Sequence, residues 1–203
     1  MRTPLTYILL TVNIAVFSLQ WVFGLDDHSL IYDYGFVGTE ATDEPWRWIT
    51  SAFLHVDAAH LVVNMASLWA LGVSLERYIG TIRFGIVYFF GALGGSAAVW
   101  QLEDPTTYTI GASGAIFALV GAGIIAHLVN GQLPFYELCV LGVGVVWAFY
   151  ADNGTSWQAH LGGAILGFVL GSAIMLAAKL SNRRGADPTT DDDEETHSLE
   201  HRR

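Results

Sequence analysis

Six stretches of the chain are almost wholly apolar, at roughly 5–23, 58–76, 82–102, 112–129, 135–150 and 157–179. None shows the strict alternation of a half-buried strand, and each is bounded by polar or turn-forming residues. A bilayer core of about 30 Å needs roughly 20 apolar residues per helix. The pattern therefore predicts an all-α polytopic membrane protein with six transmembrane helices over residues 1–180. The fifth stretch is the shortest, which fits a tilted or loosely packed helix. No repeat of 20–50 residues is visible. From residue 181 the pattern changes. Asp191, Asp192, Asp193, Glu194 and Glu195 make this tail too polar to bury, and 181–203 reads as a disordered cytoplasmic extension.

The basic residues orient the helices. Arg2, Arg77, Arg83, Lys179, Arg183 and Arg184 fall on one side of a six-span arrangement, and Arg47 on the other. By the positive-inside rule both termini are cytoplasmic, in a cell membrane. The opposite loops carry Asp26, Asp27, Asp33, Glu40, Asp43, Glu44, Glu103, Asp104 and Asp152. The longest of them, about 24–57, is rich in aromatic residues (Tyr32, Tyr34, Trp46, Trp48, Phe53) and reads as a segment lying partly in the headgroup zone.

Composition agrees with this picture. Of 203 residues, 53% are hydrophobic and only 14% charged, against about 25% charged in soluble domains. The N-terminal stretch follows Met1 and Arg2 directly, with no small-residue cleavage site, so it reads as a spanning helix. A net charge of −10 argues against a nucleic-acid partner. Acidic loops with a single lysine, Lys179, point to a prokaryote of high-salt habitat. The lone Cys139 reads as a small buried core residue. No Cys/His zinc pattern is present, and no metal or cofactor is expected.

Polar groups at membrane depth are costly and mark function. Helices two, four and six all start at the outer face. His60 and Asn64 lie in the first turns of helix two, Ser113 in the first turn of helix four and His160 in the first turn of helix six, with His55 just before helix two. Taken singly, each has a plainer reading: Ser113 as a small packing residue, Asn64 as interhelical glue, His160 as a hydrogen-bonded helix-end histidine. Four such side chains at one depth on one side point instead to catalysis. A serine hydroxyl needs a base to take its proton, and His160 can serve. The oxyanion then formed needs donors. Asn64 can donate from its amide, and His60 faces the same way at i and i+4. The start of helix four adds unpaired N–H groups beside Ser113. Gly111 and Gly114 leave room for a substrate backbone. Gly163, Gly167 and Gly171 form a small-residue stripe on helix six, whose expected partner is helix four at Gly114. Gly91, Gly94 and Gly95 suggest a second tight contact on helix three, and Glu76, at the inner end of helix two, reads as structural. His127, near the inner end of helix four, is assigned no role.

These residues form motifs: Trp46-Arg47 in the first loop; His55, His60 and Asn64 as His-x4-His-x3-Asn; Gly72, Glu76 and Gly80 as Gly-x3-Glu-x3-Gly; Gly111-Ala112-Ser113-Gly114; and Ala159-His160 followed by Gly163 and Gly167. Their order and placement resemble the rhomboid family of intramembrane serine proteases over about residues 5–179. The resemblance implies cleavage of single-span membrane proteins near the outer face by a Ser–His dyad without an acidic third member. It also implies an aromatic ring packed on the histidine. Phe117 takes that place, where many family members carry Tyr. The short fifth helix, with Trp147, Phe149 and Tyr150, is the expected substrate gate. A transporter would place polar residues along the whole depth. A bis-histidine haem protein would leave Ser113 and Asn64 without a task. A catalytically dead scaffold of the same fold usually lacks the serine or the histidine.

Overall fold

The computed structural model describes residues 2–22, 29–150 and 156–184. Among these residues eight α-helices follow in order: α1 (Pro4–Val22), α2 (Ser29–Tyr34), α3 (Arg47–Thr50), α4 (Ala58–Ile79), α5 (Thr81–Leu102), α6 (Ser113–Val129), α7 (Phe135–Tyr150) and α8 (Trp157–Arg184). The six long ones coincide with the six apolar stretches; α2 and α3 are short helices inside the first long loop. α1, α4, α5 and α8 are long and apolar enough to cross a membrane, whereas α6 and α7 are shorter apolar helices. Among the described residues the only β-pairing is an isolated bridge between Phe36 and Thr109. α8 continues to Arg184, beyond the expected end near 179. The rest of the acidic tail lies outside the described residues, as do Asp26, Asp27 and Asp152 and the side chains of Trp147, Phe149 and Tyr150.

α6 is the centre of the bundle. It is apolar all round, as a helix enclosed by others must be, and nearly every residue from Gly114 to Gly123 is buried. With 17 residues it is about 26 Å long, short of a full bilayer core. It packs most extensively against α8 and α5. Small residues permit this. A methyl added at Gly163 would meet the backbone of Gly114, one at Gly167 the backbone of Ala118, and one at Gly171 the Cα of Ala122. Gly163, Gly167 and Gly171 of α8 thus run in register against Gly114, Ala118 and Ala122 of α6, as the glycine spacing predicts. On α5, Gly91 faces Ala118 and Ala115 of α6, while Gly94 and Gly95 face Gly162 and Ala159 of α8.

Buried polar residues tie the remaining elements. Glu76, 1% exposed, accepts from the backbone N–H of Leu5 (3.1 Å) and Thr6 (2.8 Å) and from the hydroxyls of Thr6 (2.7 Å) and Thr81 (2.8 Å). It therefore satisfies free donors at the start of α1. This contact sets the beginning of α1 beside the end of α4, at the opposite end of α4 from His60. Arg47 is also buried. Its guanidinium pairs with Glu40 at 2.9 Å and with Glu44, and donates to the carbonyls of Tyr32 (2.6 Å) and Gly35 (2.9 Å). One side chain thereby pins three parts of the first loop. Cys139 departs from expectation: it is exposed on the outward face of α7, because α7 is peripheral and turns this position away from α6.

Candidate active site

The sequence leads α6 out of a tight turn. Gly111 has φ +121°, a conformation that favours glycine, and its N–H donates to the Ser51 carbonyl at 2.9 Å. Two residues earlier, Thr109 exchanges backbone hydrogen bonds with Phe36 (2.8 and 3.0 Å). The first loop therefore holds the approach to α6 at two points. Ala112 is the N-cap and offers no side-chain acceptor, so the first N–H groups of α6 stay open beside Ser113.

Asp57 starts α4, accepting from the His60 N–H at 2.7 Å. The cap fixes the first turn, and the helix carries His60 and Asn64 to one face. Asn64 is buried, and its Nδ2 donates to the His60 carbonyl at 3.0 Å, leaving the second amide hydrogen available. A Cβ at Gly111 would lie 3.0 Å from His60 Nε2 and 3.9 Å from Ser113 Oγ. The absence of a side chain there lets the imidazole stand next to the serine. His160 enters from the first turn of α8. Its ring stacks on Phe117, with centroids 4.1 Å apart and planes 5° from parallel. The edge of the Phe117 ring lies against Gly144 of α7, where a methyl would collide with it. His160 Nε2 is buried and has no hydrogen-bond partner among the described residues. It is therefore not hydrogen-bonded to Ser113 Oγ in this arrangement.

Ser113, His160, His60, Asn64 and Phe117 all line one cleft of about 420 Å³, closed by Val63 and Ser67 of α4 and by Val140, Val143 and Gly144 of α7. Among the described residues no Asp or Glu lines it. His55 lies behind His60, with ring centroids 5.1 Å apart. It is fully buried, and burial, with a smaller contribution from His60, lowers its pKa to about 3. Gly114, Gly163 and Gly167 are not in the cleft; they form the α6–α8 seam that brings Ser113 and His160 together. Trp46 and Arg47 lie away from it in the loop scaffold. The α7 residues of the cleft escape a reading of the sequence, because nothing in an apolar run marks which positions face a neighbouring helix. Ser67 follows Asn64 by three residues and was open to detection by helical spacing. Among the described residues no cluster of three or more His, Cys, Asp or Glu side chains offers a metal site.

Known proteins share this chain's pattern. Residues 42–177 match the family description Rhomboid domain. RHOMBOID-like protein 6, mitochondrial, of Arabidopsis thaliana is 33% identical over 143 residues, covering 66% of this chain and 45% of its own length. The putative rhomboid protease YdcA of Bacillus subtilis is 31% identical, covering 81% of this chain and 87% of its own length. The rhomboid protease GluP of the same organism is 29% identical over 86% of this chain and 36% of its own length. The chain spans about half the length of the plant relative, or less in the case of GluP, and the family match over residues 42–177 takes in α4 to α7 and most of α8. The chain is a multi-pass helical membrane protein, and it belongs to the rhomboid family.

Proposed function

We propose that the chain is an intramembrane serine endopeptidase that cuts single-span membrane proteins near the outer face of a cell membrane. The observation that carries this reading is the meeting of Ser113, His160, Asn64 and His60, from three helices, in one cleft. In the proposed reaction His160 Nε2 takes the proton of Ser113 Oγ as Oγ attacks the peptide carbonyl. The carbonyl oxygen becomes an oxyanion, which the free Asn64 N–H, His60 and the open N–H groups at the start of α6 receive. His160 then protonates the leaving amine as the C–N bond breaks. Water repeats the cycle on the acyl-enzyme and releases the acid. Phe117 holds the imidazole plane by stacking, a task that an acidic residue performs in triads.

A spanning helix hides its own peptide bonds, so the substrate must unwind near the cut. Substrates with Gly or Pro there, and a small residue just before the bond, fit this need. Entry between α4 and α7 is favoured by the cleft's lining, which those two helices share. The positions of Arg2, Arg77, Arg83 and Lys179 support a topology with both termini in the cytoplasm, and the acidic loops suit a high-salt habitat. The direct test incubates the purified protein in lipid vesicles with single-span substrates. Cleavage by the wild type and none by Ser113→Ala supports the proposal; equal cleavage by both, or none by either, rejects it.

A further inference from the structure

A second pocket opens at the far end of the seam between α4, α6 and α7. It is lined by Ser74 and Tyr78 of α4, His127 and Asn130 at the end of α6, Gln132 beyond it and Glu137 of α7, with an empty volume of about 420 Å³. Ser74, Tyr78, Asn130 and Gln132 are exposed and form the mouth. Glu137 forms the floor at 5% exposure. Its Oε1 lies 3.3 Å from His127 Nδ1, and Gly123 leaves the space its carboxyl occupies. Its Oε2 is buried and has no hydrogen-bond partner among the described residues. His127 already shares Nδ1 with the Gly123 carbonyl at 3.0 Å and bears a charge only when protonated. Among the described residues no Lys or Arg lines the pocket. A buried carboxylate with an open lone pair and no permanent counter-ion is costly unless a cation completes it.

The placement of this pocket says which cation. It shares the α4–α7 seam with the candidate catalytic cleft. From Ser113 to Ala126 along α6 is about 20 Å. A substrate helix lying in the seam with its scissile bond at Ser113 would bring residues about 13 positions beyond the cut to this level. Single-span proteins carry Lys and Arg at their cytoplasmic membrane boundary. Resting on the protease reading above, we propose that the Glu137 pocket is a substrate exosite that receives a Lys or Arg side chain from the cytoplasmic end of the substrate's spanning helix. It selects substrates by the distance between the cut and that charge, and acts on affinity rather than on the chemical step.

The test uses the full chain in phosphatidylglycerol vesicles, which contain no cationic headgroup. Single-span substrates carry Lys or Gln at about 10, 13, 16 or 19 positions beyond the cut. Binding is read by photo-crosslinking in the Ser113→Ala protein, and KM and kcat in the active one. The expected result is about tenfold tighter binding and lower KM for Lys at one or two adjacent positions, with kcat unchanged. Glu137→Gln should abolish the preference. So should Ser74→Lys, which puts a rival ammonium at the mouth and leaves Glu137 and its contacts intact. Glu137→Lys should favour a substrate with Glu at the same position. Equal binding of Lys and Gln substrates by the unmutated pocket, or a preference that survives both Glu137→Gln and Ser74→Lys, overturns the exosite. A preference that vanishes on adding phosphatidylethanolamine assigns the pocket to a lipid amine and also overturns it. Cleavage without a Lys preference leaves the protease reading standing. Lys-dependent crosslinking without any cleavage removes that reading and keeps the pocket as a cation site.

Discussion

The α6–α8 contact makes a single methyl group a sharp probe of the site. In Gly163→Ala the new Cβ would lie 2.8 Å from the Gly114 carbonyl carbon and 3.2 Å from its Cα. Comfortable carbon contacts are about 3.5–4.0 Å, so the shortfall is roughly 1 Å. The colliding atoms are backbone, and no rotamer change relieves them; the two helices must part by about that distance. Overpacking of this kind costs about 1–3 kcal/mol. Gly163 lies one turn below His160 and Gly114 is next to Ser113, so the parting falls between the two proposed catalytic side chains. A misplacement of about 1 Å is worth on the order of 100-fold in rate. We expect Gly163→Ala to lose about 100-fold in the rate of covalent labelling by a fluorophosphonate, measured in micelles beside its thermal unfolding. Gly171→Ala has a similar shortfall, at 2.7 Å from the Ala122 Cα, but sits about 12 Å farther along α8. It should lose comparable stability and much less labelling. Gly142→Ala points into open space and should change neither. A Gly163→Ala protein that unfolds and labels like the wild type would refute the account of the seam.

Asn64→Ala should lower kcat by about 10- to 1,000-fold with little change in KM, because in the proposed mechanism its free N–H serves the oxyanion and His60 shares the task; steady-state cleavage of one substrate decides this. Acid should destabilise the fold through His55. Its folded pKa is about 3 and its unfolded one near 6.5, so the unfolded state binds more protons between these values, and stability falls as pH drops through that window. At about pH 5 the loss is about 2 kcal/mol, and a unfolding series at several pH values should show a flatter slope in His55→Leu. Glu76→Ala strips three hydrogen bonds from the start of α1 and one from the start of α5, and should cost about 3 kcal/mol in unfolding measurements, while folded molecules keep their labelling rate.

Much of this was legible in the sequence because the bilayer imposes few solutions. Six apolar runs became six helices, and the i, i+4 glycines at 163, 167 and 171 announced a close helix pair. Ser113, His160, His60 and Asn64 were legible for a different reason: polar side chains in lipid-depth segments stand out against an apolar background. What stayed hidden depends on rotation and on loop packing. Cys139 reads as core by composition, yet the rotation of α7 turns it outward. Val140, Val143 and Gly144 look like any other apolar positions until α4 and α7 are placed side by side. His127 and Glu137 sit ten residues apart across a turn, and only the fold of Asn130–Pro134 makes them partners. Arg47 carries a motif that invites a role at the site, whereas its hydrogen bonds hold the loop that supports Gly111.

The claim on which everything rests is that His160 activates Ser113. A fluorophosphonate probe applied to the purified protein, followed by digestion and sequencing of the modified peptide, tests it most directly. The account predicts one adduct, on Ser113, absent in Ser113→Ala, strongly reduced in His160→Ala, retained in Cys139→Ala and indifferent to chelators. An adduct on any other residue, or undiminished proteolysis by Ser113→Ala, would contradict it.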